Sequence, residues 1–171
     1  WIVNQVDDET TVNVGTVTRT WDTRGNRLSE TRDGVTTSYV YYASGDIQAI
    51  TRPRSLISNY AQYFRGIPRE EGHPEGVLIS RLVSDAGNVT SETNGERHTT
   101  TFVYDGLNRV TRMTPPLGNA TVISYTATSK TATRGSLQHA TTLDGFGRPT
   151  TETTGGQSRA FRYDVLGRRT F

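Results

Sequence analysis

Near the end of the chain stands Tyr163-Asp164-Val165-Leu166-Gly167-Arg168: an aromatic, an aspartate, two variable residues, a glycine and a basic residue. The same order occurs in Tyr104-Asp105-Gly106-Leu107-Asn108-Arg109 and, with leucine for the aromatic, in Leu143-Asp144-Gly145-Phe146-Gly147-Arg148. A looser copy opens the chain, Trp21-Asp22-Thr23-Arg24-Gly25-Asn26-Arg27. A catalytic centre needs its parts once, whereas a stacked structural unit needs them in every copy.

Counting outward from the turn position gives Gly25, Gly45, Gly66, Gly87, Asn108, Ser129, Gly147 and Gly167. These anchors lie about 20 residues apart, the spacing of a repeat architecture. Asn108 fits the column because asparagine is the best substitute for glycine at positive φ. Four residues before the anchor stand Trp21, Tyr41, Gln62, Val83, Tyr104, Tyr125, Leu143 and Tyr163, and two residues earlier a second column holds Tyr39, Tyr60, Phe102 and Phe161 among others. Residues two apart share a strand face, so many units place two bulky groups together just before the turn. Asp22, Asp105, Asp144 and Asp164 then sit where a carboxylate accepts hydrogen bonds from turn N–H groups. Arg109, Arg148 and Arg168 follow the anchor and are placed to pair with an aspartate.

Each unit therefore reads as strand, tight turn, strand. The whole of residues 1–171 forms one array of about eight such hairpins of ~20 residues, degenerate around 52–80 and 120–135. One hairpin cannot bury its own apolar face, so the expected assembly is edge-to-edge pairing with tyrosines laddered on the next unit's aromatics. On this reading Tyr104 is an enclosed ring whose truncation costs ~3–5 kcal/mol, and Arg148 belongs to an exposed pair contributing under ~1 kcal/mol.

Composition agrees with an all-β chain. Apolar residues make up 32%, and the 17 glycines leave the sum below the usual ~45–50%. Threonine is the commonest residue, with Val, Ile and Tyr supplying much of the apolar character, a mixture that suits pleated, half-buried surface. The 8 tyrosines, 5 phenylalanines and 2 tryptophans at a net charge of only +2 argue against disorder. Of 19 basic residues all but Lys130 are arginines, and 17 acidic residues are interspersed with them. No clustered basic patch results, so nucleic acid is not an expected partner. There is no cysteine, no apolar run of ~20 residues for a membrane span and no signal peptide. Because the chain begins at Trp1 and stops at Phe171, within the second strand of its last hairpin, a piece of a longer protein is expected.

The recurring Tyr-Asp-x-x-Gly-Arg motif resembles the Rhs/YD-repeat family: bacterial Rhs polymorphic-toxin proteins, toxin-complex B/C components and animal teneurins. The resemblance covers nearly the whole chain and includes the stretch from Tyr63 to Glu96. It implies a repetitive β-hairpin ribbon, a curved antiparallel sheet forming part of a hollow shell. It further implies a protein secreted or displayed at the cell surface and exported from a bacterium. The partners it implies are the remainder of the same shell and an enclosed C-terminal toxin, with secretion-system components or glycan as further candidates. The site residues are then the structural motif itself: Trp21, Asp22, Gly25, Tyr104, Asp105, Asn108, Arg109, Asp144, Gly147, Arg148, Tyr163, Asp164, Gly167 and Arg168.

Other chemistry finds little support in the sequence. Asp144 and Asp164, one hairpin apart, fall roughly within the carboxylate gap of inverting glycosidases, but the same aspartate recurs in other units and turn chemistry explains it. His73, His98 and His139 lack ligand-like spacing and read as scattered surface residues, so no metal and no cofactor is expected. The segment 52–80 carries three of the six prolines and reads either as a loop facing a partner or as a repeat with a longer connection. A cell-surface or glycan-binding adhesion module built on the same repeat remains the alternative to a non-catalytic shell segment.

Overall fold

The computed structural model describes residues 8–11 and 15–170; Trp1 and Phe171 lie outside them. The chain forms two compact units, residues 1–98 and 99–171. In the first, strands follow one another in the sheet in chain order: β1 (Asp8–Thr11), β2 (Gly15–Trp21), β3 (Arg27–Arg32), β4 (Val35–Tyr41), β5 (Ile47–Arg52), β6 (Leu56–Ala61), β7 (Glu70–Gly72), β8 (Leu78–Val83) and β9 (Val89–Thr93). The second unit does the same with β10 (Thr99–Tyr104), β11 (Val110–Thr114), β12 (Thr121–Tyr125), β13 (Ser129–Arg134), β14 (Leu137–Leu143), β15 (Pro149–Thr154) and β16 (Gln157–Ala160). A separate short pair, β17 (Arg162–Tyr163) and β18 (Arg169–Thr170), ends it. Among the described residues the strand pairs within each unit are antiparallel. Among the described residues no helix is long and apolar enough to cross a membrane.

Two kinds of turn alternate. On the anchor side, the residue three before the anchor accepts from the anchor's N–H, and its own N–H bonds the residue after the anchor. Asp105 N–H donates to Arg109 O at 2.9 Å and Asn108 N–H to Asp105 O at 3.0 Å. The same two bonds recur at Asp22, Tyr42, Ser84, Asp144 and Asp164, so the backbone turn does not depend on aspartate. The anchors Gly25, Gly45, Gly66, Gly87, Asn108, Gly147 and Gly167 all have positive φ, from 59° at Asn108 to 93° at Gly45. Five residues between paired ends force a β-bulge, and the register shifts at Trp21, Tyr41, Val83, Tyr104 and Leu143. On the return side several turns are shorter, with two or three residues at 33–34, 53–55, 135–136 and 155–156. Asp33-Gly34 and Gly155-Gly156 each place two residues at positive φ, as a twist-matched two-residue hairpin requires.

Two anchors depart from the sequence reading. Ser129 is not a turn residue but the first residue of β13; Thr126 N–H bonds Ser129 O at 2.9 Å, and Tyr125 pairs with Lys130 without a bulge. That turn is one residue shorter and needs no left-handed position. At Gly66 the tip is the two-residue turn Arg65-Gly66, closed by reciprocal bonds of 3.0 Å between Phe64 and Ile67. Gln62 stands at φ 54°, and the following Tyr63 takes the column that the spacing assigns to Gln62. The prolines of 52–80 do not interrupt strands. Pro53 and Pro74 open the return turns Pro53–Ser55 and Pro74–Gly76, and 62–69 is the longer connection.

A sheet of one layer has almost no enclosed core. Among the described residues only Val17, Phe161 and Ser58 are buried. Along β4, β8, β10 and β12 half-buried and exposed residues alternate. The half-buried face carries Tyr39, Tyr41, Arg81, Phe102, Tyr104, Ile123 and Tyr125, while Val40, Leu82 and Val103 stand exposed on the other at 50–65%. Tyr104 is therefore half-buried, not enclosed, although burial still pushes its phenol pKa up. Among the described residues the expected ladder of rings does not take a stacked form. The aromatic pairs among the described residues are edge contacts, Tyr42–Tyr63 and Tyr60–His73, each at 6.3 Å.

Candidate functional site

What joins one hairpin to the next is a three-residue interlock that begins at the turn aspartate. Asp105 divides its carboxylate between two tasks. Oδ1 accepts the backbone N–H groups of Leu107 (2.9 Å) and Arg109 (3.0 Å), closing the turn. Oδ2 accepts Arg109 Nε at 2.8 Å and Nη2 at 2.7 Å, fixing the guanidinium plane. The guanidinium so held lies over the ring of Tyr125 in the next hairpin, 4.3 Å from its centroid. Tyr125 Oη–H in turn donates to Val110 O, the carbonyl just after that arginine, at 3.0 Å.

The arrangement recurs. Asp144 Oδ1 accepts from Phe146 N–H and Arg148 N–H, both at 2.9 Å, and Oδ2 holds Arg148 Nε and Nη2 at 2.7 Å. Arg148 covers Tyr163 at 4.4 Å, and Tyr163 donates to Pro149 O at 2.9 Å. Asp164 repeats the turn and its pairing with Arg168 (2.7 Å). The first turn is a variant: Asp22 Oδ1 closes on Arg24 and Asn26 N–H, Oδ2 accepts Asn26 Nδ2, and Tyr41 donates to Arg27 O at 2.9 Å. Arg27 caps Tyr39 at 4.5 Å. Trp21 stands in the tyrosine column, and its indole N–H has no partner among the described residues.

These contacts set the electrostatics of the turns. Hydrogen bonds from Arg109, first of all from its side chain, hold Asp105 below the ordinary carboxylate value of 3.8. Asp144 and Asp164 are lowered chiefly by the backbone N–H of Arg148 and Arg168, and Asp22 by the Asn26 side chain. A general acid needs a raised pKa. The Asp144 and Asp164 carboxylates are shifted the opposite way, and their oxygens are occupied by turn donors.

Two features escaped the sequence reading. Asn94-Gly95-Glu96-Arg97-His98 forms the same turn, with Asn94 Oδ1 accepting Glu96 N–H (3.0 Å) and His98 N–H (2.9 Å) and Arg97 at φ 63°. It lacks both the aspartate and the glycine that mark the motif. The second is a polar relay across β5 to β9. Arg52 Nη1 donates to the buried Ser58 Oγ (2.8 Å), which lies 3.2 Å from His73 Nδ1. His73 Nε2 is 3.2 Å from Glu71, Glu71 pairs with Arg81, and Arg81 Nε reaches Glu92 at 2.7 Å. His73 is thus a working member of a network and not a scattered surface residue.

Residues 84–120, which span the Ser84, Asn94 and Asp105 turns, match the RHS Repeat family. Solved structures of toxin-complex proteins share the fold of this chain. One is the Tc holotoxin pore of Photorhabdus luminescens, at 12% identity and a TM-score of 0.70 over 91% of this chain and 10% of that one. Another is TcdB2-TccC3 without its hypervariable C-terminal region, at 14% identity and a TM-score of 0.68 over 89% of this chain and 10% of that one. The chain spans about a tenth of the length of the solved chains it matches. No curated protein matches it in sequence.

Proposed function

We propose that the chain is a non-catalytic wall segment of an Rhs/YD-repeat shell that encloses a C-terminal toxin or effector polypeptide. The observation that carries this reading is the repetition of one interlock, Asp105–Arg109–Tyr125 and then Asp144–Arg148–Tyr163, at the joins between hairpins. Side chains with catalytic potential are engaged in holding the sheet together, and they recur as mechanical parts do. The partners are the remainder of the same shell and the polypeptide inside it, in a protein exported from a bacterium. A single sheet layer suits a wall, which separates two spaces and needs no core of its own.

The test is protease protection in the parent protein that contains this segment. A C-terminal polypeptide enclosed by the shell survives digestion that destroys the same polypeptide expressed alone. The double variant Arg109→Ala/Arg148→Ala loosens the wall and speeds its loss. Equal digestion of the polypeptide with and without the repeat-bearing region would overturn the reading.

A further inference from the structure

At the join between the 42–46 turn and Tyr63 the arginine position holds another residue, as it does at the Asn26 and Asn88 turns, and here a space is left. In the turn before Tyr63, Tyr42 occupies the position of Asp105 and Asp144, and Asp46 that of Arg109 and Arg148. The rest of the interlock is present. Tyr63 Oη–H donates to Ile47 O at 2.8 Å, as Tyr125 does to Val110 O and Tyr163 to Pro149 O. The guanidinium that covers the tyrosine at those two joins is missing here, and among the described residues no cation lies over the Tyr63 ring. An open cleft of about 530 Å³ takes its place, lined by Tyr42, Ser44, Asp46, Gln62 and Tyr63 with Ala43.

The charge in that cleft is unbalanced. The Asp46 carboxylate has the Ser44 hydroxyl as its side-chain partner at 2.8 Å and forms no ion pair among the described residues. At the rim, Arg24 donates to the carbonyl of Ala43 (2.9 Å) rather than to Asp46. Gln62 is turned toward Glu70, 2.5 Å away. Tyr42 and Tyr63 meet edge to face at 75°, and Tyr42 is among the exposed large residues. A carboxylate beside aromatic rings is the environment that selects a planar cation.

We propose that this cleft receives the guanidinium of an arginine side chain carried on another polypeptide, which completes from outside the interlock that Arg109 and Arg148 complete from within. Asp46 pairs with the guanidinium, and the tyrosine ring stacks on it. The lining's one carboxylate is the partner for the guanidinium, and the role proposed is binding. It holds whether or not the sheet encloses a cargo.

The 171-residue chain is titrated with N-acetyl-argininamide and followed by the NMR signals of its tyrosine rings, with the citrulline and lysine amides alongside. Saturable binding of the arginine amide is expected, with the neutral citrulline amide and the non-planar lysine amide at least about tenfold weaker. Asp46→Asn weakens it by at least about tenfold. Asn26 and Asn88 already occupy this turn position elsewhere in the chain, so the substitution suits the fold, and an unchanged backbone spectrum checks that. Asp46→Arg fills the space from within and abolishes binding. No saturable binding of the arginine amide, equal binding of the citrulline amide, or an Asp46→Asn affinity unchanged from the parent chain overturns the proposal.

Discussion

Residues 105–163 and residues 52–92 both tie neighbouring hairpins together, and they do so with different side chains. The first region uses an aspartate, an arginine and a tyrosine at each full join, each copy independent of the next. The second passes a chain of donors and acceptors from Arg52 through Ser58, His73, Glu71 and Arg81 to Glu92, so one network spans five strands. The backbone turns at Ser84 and Asp105 are nonetheless closed by the same main-chain bonds. Turn geometry and hairpin joining are therefore separable. The turn needs one residue at positive φ, while the join needs any set of side chains whose donors meet acceptors across the gap.

The relay is the easier of the two to break, because removing one member strands its neighbours. Arg81→Ala leaves Glu71 and Glu92 close together without a cation; the Arg81 and Glu71 side chains are only 16% and 14% exposed. The expected loss is about 2–3 kcal/mol, reduced from that of a fully buried pair because Glu92 is open to solvent. Urea unfolding measures it, and a loss under about 0.5 kcal/mol would reduce the relay to surface decoration. An interlock arginine matters less. Arg148→Ala forfeits the contact with Tyr163, about 0.5–2 kcal/mol, together with its hold on Asp144. Arg168→Ala is the internal control, since its side chain is 75% exposed. The first substitution should lower the urea midpoint clearly more than the second; equal shifts would show that the ring contact contributes nothing.

Tyrosine tests the join from its other side. Tyr125→Phe keeps the ring under Arg109 and removes the hydrogen bond to Val110 O, an expected loss of about 1 kcal/mol. Tyr63→Phe removes the matching bond to Ile47 O where no guanidinium covers the ring, so comparing the two separates the hydroxyl from the cation. A similar loss at both positions assigns it to the hydroxyl. A loss confined to Tyr125 would mean that the hydroxyl contributes only where a guanidinium covers the ring.

How far such joins were legible depends on how local they are. Positive φ at Gly25 or Asn108 is a property of one residue and its neighbours, so spacing and residue type reveal it. The aspartate's turn bonds also lie within five residues. Arg109 over Tyr125 depends on the register between hairpins, which no motif states, and exposed pairing was accordingly the expectation for arginine. Left-handed Gln62 shifts Tyr63 into the column by one residue, and only the backbone shows it. Asn94 and Arg97 build the familiar turn from unfamiliar residues. Tyr104 was read as enclosed because bulky columns usually imply a covering layer, and a one-layer sheet has none.

The smallest expected effect concerns acid. Hydrogen bonds hold Asp22, Asp105, Asp144 and Asp164 below 3.8 in the folded chain. A carboxylate whose pKa is lower folded than unfolded contributes stability above its unfolded value, near 4. That contribution is lost as pH falls through the folded value, so the chain weakens on acidification below about pH 4. Asn94 shows that an amide oxygen keeps the two backbone bonds of this turn. Asp144→Asn should therefore preserve the turn, lose the charged hold on Arg148 and make stability fall less steeply below about pH 4. Urea midpoints measured between about pH 2 and 7 decide the matter. Identical slopes for the two proteins would mean that the turn carboxylates act as hydrogen-bond acceptors only, and that the charge on the interlock contributes no stability.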